Sequence, residues 1–428
     1  MDILVIGNGG REHALIWKLK QSENVGKIHC TIGNAGINNI AEPLNIKPDN
    51  IQDIVKFAKG HNIGLTVVGP EVPLSLGIVD EFIVKGLKVF GPSKQAAMLE
   101  TSKIFAKEFM TRHNIPTAKF ERFDSEEKKK AIDYLDSINY PAVIKADGLA
   151  AGKGVIICQD KKEAEQTIHN IFDTKIFGSA GNSIVVEEFL TGNEASLFAI
   201  CDGENYIVLP PAQDHKKILD GEKGKNTGGM GSFAPADKIV SDEILNKVKK
   251  RIIEPVLRYM KDEGYEFRGC LYCGLMIDDS KDPYVVEFNV RFGDPETQVV
   301  IPLIESDLLD MLLASSNGRI KDYVLKIKNE FYCSVVLASN GYPDKYETGK
   351  VIKGLNKVDK NCIVFHAGTK STADGEAIST GGRVLNVVGK SDESLKEAIE
   401  NAYKNIDLID FENKYYRKDI GKKGLYLT

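Results

Sequence analysis

The sequence lacks the features of proteins that act in membranes or on nucleic acids. Its apolar runs all fall short of the roughly 20 residues that a membrane-spanning helix needs. Its formal net charge of −5 excludes an overall basic field that would attract nucleic acid. We therefore expect small-molecule substrates, no nucleic-acid or membrane partner, and a monomer or homodimer. An acidic substrate would have to be bound by local cations and backbone N–H groups.

A disulfide framework is absent too. The seven cysteines are scattered and odd in number, which fits a reducing compartment. Cys270 and Cys273 form a single C-x-x-C inside an apolar run, and no second pair completes a zinc site. The pair therefore predicts a core strand. Since the chain enters a strand at Ile3 with no room for a signal peptide, the sequence predicts a cytoplasmic protein.

What the sequence does contain, over residues 1–102, is an alternation of short apolar strands and helices. Strands are expected at 3–6, 27–30, 65–68 and 88–90, and helical spacing recurs around residues 51–58. This pattern predicts an open parallel sheet covered by helices. Ligands on such sheets bind at the carboxyl ends of the strands. Four glycine-bearing loops follow those ends and predict a site for a phosphorylated small molecule: 7–10, 33–36, 69–71 and 91–94.

The rest of the chain divides into further α/β units. A helix and linker are expected at 103–122, followed by a compact unit at 123–188 with a charged helix from Ser125. Residues 189–327 predict a second unit, whose long helix repeats apolar residues every four positions from Ile244 to Val256. Residues 328–428 predict strands and a capped helix from Ser391.

The first glycine loop invites comparison with a dinucleotide-binding turn. Gly7 and Gly9 follow a strand, but Glu12 stands where the dinucleotide fingerprint needs a third small residue. The second strand also lacks the acid that would hold a ribose hydroxyl. A phosphate-binding turn is therefore favoured over NAD, with Arg11 as the cation at the helix start.

A polar face on a late strand is the most informative feature. Strand alternation after the apolar run 284–286 places Glu287, Asn289 and Arg291 on one face. Carboxylate and amide oxygens are ligands that Mg²⁺ prefers, and a guanidinium can grip a carboxylate or phosphoryl group. A solvated edge strand is the alternative, which the following Gly293-Asp294-Pro295-Glu296 turn makes less attractive.

A second glycine-rich segment covers 145–154. Lys145 ends a strand, and Gly152-Lys153-Gly154 precedes the next strand. No Ser or Thr follows the lysine into a helix, so the segment is not a P-loop. It predicts a β-hairpin whose tip folds over a triphosphate, or else an ordinary flexible hairpin.

Four segments together resemble the glycinamide ribonucleotide synthetase family of ATP-grasp ligases. They occur in the family's order and span most of the chain: 7–14 (GNGGREHA), 145–154 (KADGLAAGKG), 227–231 (TGGMG) and 291–298 (RFGDPETQ). The resemblance implies an α/β ATP-grasp fold with an N-terminal open parallel-sheet domain (1–102) and a central ATP-grasp domain with the metal site (103–122 and 189–327). It also implies a small mobile lid domain (123–188) and a C-terminal α+β domain (328–428).

The implied activity is ATP-dependent ligation of glycine to 5-phosphoribosylamine. Glycyl phosphate would be the intermediate, and glycinamide ribonucleotide, ADP and phosphate the products. This is the second step of de novo purine (IMP) biosynthesis. ATP and Mg²⁺, or Mn²⁺, are the implied cofactors.

The resemblance also assigns roles to individual residues. Arg291, Lys145 and Asp214 are implied in catalysis, and Glu287 and Asn289 in metal binding. The implied ATP-binding residues are Lys103, Lys145, Gly152, Lys153, Gly154, Glu187, Glu188, Leu190 and Glu194. The implied substrate-binding residues are Gly9, Gly10, Arg11, Asn34, Gly69, Glu71, Asp214, Arg291 and Asp294.

One departure from the superfamily concerns the metal. Many ATP-grasp proteins carry another metal-binding acid about a dozen residues before the E-x-N pair, and residues 272–276 contain none. Rival functions are another ATP-grasp ligase, an NAD-dependent oxidoreductase and a non-catalytic nucleotide sensor. The FGDPETQ segment opposes another ligase, and Glu12 opposes the oxidoreductase. Arg291 opposes the sensor, which would have no use for it.

Overall fold

The computed structural model describes residues 1–149 and 154–426. It confirms the predicted α/β architecture. None of the helices in those residues is long and apolar enough to cross a membrane.

The N-terminal unit is an open parallel sheet with strand order β3-β2-β1-β4-β5, as predicted. Its apolar strands are buried, as expected when helices cover a parallel sheet. The strand order reverses direction at β1, so the loops after β1 and β4 lie side by side. The elements are β1 (Ile3–Ile6), α1 (Gly10–Leu19), β2 (Ile28–Cys30), β3 (Glu42–Pro43), α2 (Ile51–Gly60), β4 (Leu65–Val68), α3 (Glu71–Leu76), α4 (Ile78–Val84), β5 (Val89–Phe90) and α5 (Met98–Thr101).

The next unit is a four-stranded antiparallel sheet with order β6-β9-β7-β8 and two helices. Its first strand lies partly inside the predicted linker, because Phe120 already pairs with Glu187. A short 3-10 turn begins at Ser125, and the charged helix follows it. Helix α6 (Lys103–Arg112) precedes this unit and packs in the core of the other units. The elements of the unit are β6 (Phe120–Asp124), α7 (Lys128–Tyr134), β7 (Ala142–Ala146), β8 (Val155–Cys158), α8 (Lys161–Phe172) and β9 (Ser183–Glu188).

The central unit is built on an antiparallel sheet with order β11-β10-β16-β17. The predicted long helix is confirmed as α9 and α10 joined by a π-helical turn at Lys249–Ile253. Cys270 and Cys273 are buried in β16, as predicted. The elements are β10 (Asn193–Asp202), β11 (Tyr206–Val208), β12 (Gln213–Asp214), β13 (Lys217–Leu219), β14 (Lys223–Asn226), β15 (Gly231–Ala234), α9 (Asp242–Val248), α10 (Glu254–Asp262), β16 (Arg268–Ile277), β17 (Pro283–Asn289), α11 (Thr297–Leu303) and α12 (Leu308–Ser316).

The C-terminal unit centres on a sheet with order β12-β15-β18-β23-β20, so two of its strands come from before residue 328. Its helix starts later than predicted: Ser394 caps α13, whereas Ser391 ends β23. The elements are β18 (Phe331–Ser339), β19 (Val351–Ile352), β20 (Cys362–His366), β21 (Thr369–Ser371), β22 (Ala377–Ser379), β23 (Arg383–Ser391), α13 (Leu395–Ile406), β24 (Lys414–Tyr415) and α14 (Lys423–Tyr426).

The hydrophobic cores explain which units form one body. One cluster contains Leu4 of the N-terminal unit, Leu271 of the central unit and Val335 of the C-terminal unit. A separate cluster, including Ile144 and Ile168, lies within the four-stranded unit that contains β7. This unit therefore has a core of its own.

Close packing of α13 on β23 depends on Gly389. A Cβ atom at this position would clash with the backbone of Ala398 and Ala402. We predict that Gly389→Ala destabilises the protein by about 1–3 kcal/mol, the usual cost of overpacking a rigid core. Gly60→Ala is the matched control, because a Cβ there meets no atom within 4 Å. Thermal melts should show a lower midpoint for the first variant only; equal midpoints would contradict the close approach.

Candidate active site

A cavity of about 830 Å³ opens between the four-stranded unit and the other three units. Its lining comes from the N-terminal helices, the β7–β8 hairpin, the β9–β10 connection, the β12–β14 region and β17. Most of the predicted site residues line it: Arg11, Glu71, Lys103, Lys145, Gly154, Glu187, Glu188, Leu190, Glu194, Asp214, Glu287, Asn289, Arg291 and Asp294.

The polar face of β17 and its continuation runs along this cavity. Glu287, Asn289 and Arg291 all line it, and Val290 and Phe292 are buried on the opposite side. At one end of the face, Lys145 donates to the carbonyl oxygen of Val286 at 2.9 Å. The predicted row of three polar side chains is therefore confirmed, although Phe288, expected on the opposite face, lines the cavity as well.

The Glu287 carboxylate is held ionised by nearby cations. Lys216 Nζ lies 3.2 Å from Glu287 Oε1. The Lys216 ammonium outweighs burial and, with Lys145, lowers the pKa of Glu287 to about 2. An ionised carboxylate is the form that a metal requires.

The oxygen donors on this face fit a magnesium ion. Asn289 Oδ1 accepts a hydrogen bond from Arg291 Nη2 at 3.2 Å, and an amide oxygen has a second lone pair for a metal. The described residues contain no cluster of three or more His, Cys, Asp or Glu side chains that could hold a metal. A pair of oxygen ligands suits Mg²⁺, which keeps waters and takes further oxygens from phosphates.

Arg291 is the most heavily paired charge in the cavity. Its Nη2 lies 2.9 Å from Glu100 Oε1, and its Nε lies 3.4 Å from Glu71 Oε2. These carboxylates outweigh the effect of burial and raise the pKa of Arg291. Arg291 Nε is buried and makes no hydrogen bond among the described residues, so Glu71 pairs with it mainly through charge.

Lysines cluster beside the β7–β8 hairpin. Lys145 and Lys107 lie 2.9 Å and 3.2 Å from the same oxygen of Glu187. Lys103 donates to the carbonyl oxygen of Gly148 at 3.0 Å. Burial is the main cause that lowers the pKa of Lys107 to about 8. With Lys216, four lysines therefore lie at this end of the cavity, where they could bind the phosphates of a nucleotide.

An apolar slot adjoins the lysines. It is lined by Met110, Ala118, Val143, Ile157, Leu190, Met276 and Phe288. The β9–β10 connection borders it, including Leu190, Glu194 and the exposed Glu188. Glu188 Oε1 accepts from the backbone N–H of Lys119, so this side chain is turned toward β6. Glu187 Oε1 is buried without a hydrogen-bond partner among the described residues and can accept from a ligand.

The other end of the cavity carries arginines. Arg11 Nη1 donates to the carbonyl oxygen of Phe292 at 3.2 Å. Arg383 Nη1 donates to the carbonyl oxygens of Gly228 and Asp294 and lies 3.3 Å from Asp294 Oδ1. Although burial acts to raise it, these two arginines hold the pKa of Asp294 below its ordinary value.

Between the two ends lies a corner formed by two carboxyl groups. Asp214 Oδ1 accepts from the His215 backbone N–H at 2.6 Å, and Glu296 Oε1 accepts from Ser196 Oγ at 3.0 Å. Burial, followed by the Glu296 carboxylate, raises the pKa of Asp214. A cation bound here would favour the ionised form of Asp214.

The N-terminal glycine loop is organised around a carboxylate of the chain itself. Glu12 Oε2 accepts from the Gly9 N–H at 2.6 Å, and Glu12 packs against Gly7 and Gly69. Gly10 packs against the amide groups of Gln298 and Asn386. The Gly9 N–H is therefore not free for an anion, which corrects that part of the prediction. The roles of Gly9, Gly10 and Gly69 in substrate binding stay predictions.

Asn34 does not fit its predicted role in substrate binding. Its Nδ2 donates to the carbonyl oxygens of Asn8 and His366, and its Oδ1 accepts from Gly36 and Ile37. All hydrogen-bonding groups of the side chain are used, so Asn34 joins the N-terminal loop to the C-terminal unit instead.

The remaining predictions concern Gly152 and Lys153, and His215. Gly152 and Lys153 lie outside the described residues. His215, interpreted as a side chain that could equally lie on the surface, is buried, and its Nε2 accepts from the Gly421 N–H at 3.3 Å. Burial lowers the pKa of His215 to about 4, so a neutral structural histidine is what the fold requires.

Comparisons with known proteins agree with this geometry. The N domain, the ATP-grasp (A) domain and the C domain of phosphoribosylglycinamide synthetase match residues 1–100, 101–297 and 332–423, respectively. The chain belongs to the phosphoribosylglycinamide synthetase family. This is the glycinamide ribonucleotide synthetase family that the sequence resembles, and the chain is therefore a C–N bond-forming ATP-grasp ligase.

Individual relatives match over nearly the whole chain. A phosphoribosylamine–glycine ligase of Caldanaerobacter subterraneus subsp. tengcongensis is 47% identical over 420 residues, which cover 98% of this chain and 99% of that protein. A bifunctional purine biosynthetic protein of Pichia angusta is 45% identical over 99% of this chain and 54% of its own length. The crystal structure of the Thermotoga maritima phosphoribosylamine–glycine ligase has a TM-score of 0.84 and 35% identity, covering 98% of this chain and 100% of that one.

Sequence reasoning missed four side chains in this synthetase site: Glu100, Lys107, Lys216 and Arg383. A signal existed for Lys107, because it follows Lys103 by four positions and so shares its helix face. Lys216 lies only two residues after Asp214 in the sequence, but no local pattern indicates that its side chain contacts Glu287. Arg383 and Glu100 carry no local motif.

The paired carboxylate of Glu287 provides the test of the metal assignment. We predict that Glu287→Gln weakens Mn²⁺ binding in the presence of ADP by about 100-fold or more and abolishes most ligase turnover, because one charged ligand is lost. Electron paramagnetic resonance measures the bound metal directly. Glu204→Gln, which removes an acid paired with Lys261 at the surface, is the control and should bind normally. Wild-type affinity in a folded Glu287→Gln protein would contradict the assignment.

Proposed function

We propose that this chain ligates glycine to 5-phosphoribosylamine at the expense of ATP, giving glycinamide ribonucleotide, ADP and phosphate, in purine biosynthesis. The observation that carries the proposal is the order of charges along β17. A metal-binding pair and Arg291 lie between a lysine cluster at one end and an arginine cluster at the other. This order suits a reaction in which a phosphoryl group and a phosphorylated amine approach one carboxylate from opposite sides.

ATP belongs at the lysine end. The apolar slot beside Leu190 and Phe288 accommodates a planar base, and Glu187 has an acceptor available for its amino group. Glu194, exposed at the start of β10, takes the ribose hydroxyls. The phosphates then reach Lys103 and Lys145.

Glycine binds in the middle of the cavity. Its ammonium is stabilised by the corner formed by Asp214 and Glu296. Its carboxylate faces the Arg291 guanidinium and the metal-binding pair, which line the cavity together. Gly229 packs against Asp214, which keeps the corner small and favours an amino acid without a side chain.

The phosphoribosylamine phosphate belongs with Arg11 and Arg383, since both are cations at the far end of the cavity. Glu71 and Asp294 offer carboxylate acceptors for its hydroxyl and amine groups. This arrangement keeps the predicted roles of Arg11, Glu71 and Asp294 and adds Arg383.

The reaction then requires mainly that the bound reactants are held in position. The glycine carboxylate attacks the γ-phosphoryl group, and ADP leaves with its charge offset by Lys103 and Lys145. The amine attacks the resulting acyl phosphate, and phosphate departs. Arg291 holds the glycine carboxylate oxygen through both steps. No side-chain nucleophile is needed in this scheme.

The metal that Glu287 and Asn289 would hold supplies charge neutralisation for the phosphates. We assign Mg²⁺ on the oxygen donors, and Mn²⁺ remains an alternative that the same donors accept. A cytoplasmic location, a monomer or homodimer, and the four domain boundaries given above remain part of the proposal.

Release of phosphate from ATP tests the function. We predict release that requires glycine and phosphoribosylamine together, because the acyl phosphate forms and is consumed in one closed cavity. Alanine in place of glycine should lower kcat/KM by about 100-fold, since the proposed glycine site lies where Gly229 packs against Asp214 and an added methyl group would crowd it. Release that needs neither glycine nor the amine would favour a different acid substrate and would contradict the proposal.

The separate core of the four-stranded unit leads to a prediction about motion. We propose that this unit is a lid that moves as a body and that nucleotide binding orders its hairpin. Hydrogen exchange with a non-hydrolysable ATP analogue should slow in residues 145–149, 154–158 and 185–190. Residues 7–11, distant from the nucleotide, serve as the internal control. Unchanged exchange in the hairpin would mean that ATP binds elsewhere.

A further inference from the structure

The C-terminal segment, residues 414–421, is bonded along its length to a hairpin that borders the cavity. This hairpin, called the arm here, consists of β13 and β14, residues 217–226. Tyr415 Oη donates to the carbonyl oxygen of Ile218 at 2.6 Å. The Lys418 N–H donates to Asp220 Oδ1 at 2.8 Å. Among the described residues, the strands of the arm pair in a sheet only with each other, so these contacts add support from outside the arm.

Arg417 is the centre of this attachment. Its side chain is fully buried and lies 2.6 Å from Glu222 Oε1 in the arm. It makes two hydrogen bonds of 2.8 Å to Asp419, whose Oδ2 also accepts from the Gly221 N–H. Its Nη1 donates to the carbonyl oxygen of Lys217 at 3.0 Å. One guanidinium thus joins β13 and the turn of the arm to the C-terminal segment.

The base of the arm, where β13 begins and β14 ends, faces the reaction. Lys216, immediately before β13, meets Glu287. Asn226, at the end of β14, donates to the carbonyl oxygen of Val155 at the start of β8. Lys217, Glu222 and Thr227 line the cavity, whereas Arg417 is not among the lining residues described.

We propose that Arg417 is a positioning residue, which holds the arm so that Lys216 stays at Glu287 and Asn226 meets the β7–β8 hairpin. The expected fall in kcat rests on the function proposed above, whereas the role of Arg417 in holding the arm does not. Arginine is required because its planar fork reaches a bidentate carboxylate, a second carboxylate and a carbonyl oxygen at once. A lysine has a single donor centre and cannot span them.

Two variants separate the attachment from general stability. Arg417→Lys keeps the charge and loses the fork, at a residue outside the cavity lining. Glu222→Ala removes the acceptor on the arm and leaves the Arg417–Asp419 pair of the C-terminal segment intact. Glu412→Ala is the matched control, because it removes a glutamate paired with Lys350 on the exposed surface of the same unit.

Hydrogen exchange of the full-length protein provides the readout that is independent of activity. We expect amides of residues 217–226 to exchange about tenfold faster in both variants, with unchanged exchange in β16 and β17, because local opening becomes easier. Glu412→Ala should match the wild type. Thermal midpoints establish that each variant is folded.

Turnover measures the consequence for the reaction. We expect kcat to fall by about tenfold while the KM for ATP changes less than about twofold, since the adenine slot does not depend on the arm. Faster exchange of the arm with unchanged kcat would overturn the proposal, as would unchanged exchange with a lower kcat. A wild-type protein without ligase turnover would contradict the proposed function alone, and the exchange result would then decide whether Arg417 holds the arm.

Discussion

The charge of Arg291 has to be neutralised in the interior, and this requirement joins the parts of the site. A buried guanidinium without partners would cost several kcal/mol, so carboxylates must surround it. They come from two different elements: Glu71 begins α3 and Glu100 lies in α5. Glu100 also accepts from the Val290 N–H at 2.8 Å. The end of β17 is therefore fixed against the N-terminal unit, and Asn289 and Glu287, two and four residues earlier, are fixed with it.

Around this anchor the remaining units contribute in different ways. The N-terminal, central and C-terminal units share apolar core, which makes them a rigid frame. Strands β12 and β15 reinforce this frame by joining the C-terminal sheet, and they bring Asp214 and the 227–231 loop to the cavity. The four-stranded unit has its own core and meets the frame through polar contacts such as Lys103 with Gly148. Polar contacts reform more easily than a packed core, which is why closure is assigned to this unit.

Local patterns were a sound guide wherever local forces decide the structure. The buried runs of the N-terminal sheet, the polar face of β17 and the long helix from Ile244 all lie where periodicity predicts them. Boundaries were less well predicted. Ser391 and Ser394 are both good helix caps, and only the length of β23 selects the second. Nothing near Phe120 in the sequence indicates a strand, because its strand partner in β9, Glu187, is far away in the sequence.

The sequence by itself determined the family, the parallel sheet, the oxygen donors Glu287 and Asn289, and Lys103 and Lys145. The sheet and the oxygen donors follow from residue types at short, regular spacing, and the family and the lysines from local motifs. Only the tertiary structure decided that Asn34 is consumed by structural hydrogen bonds and that Lys216 meets Glu287 across 71 positions of sequence. The same holds for Arg417 and Glu222, which are 195 positions apart. The physical reason is that a side chain's hydrogen bonds and charge are set by whichever groups folding brings within a few ångströms, and spacing along the chain does not record those neighbours.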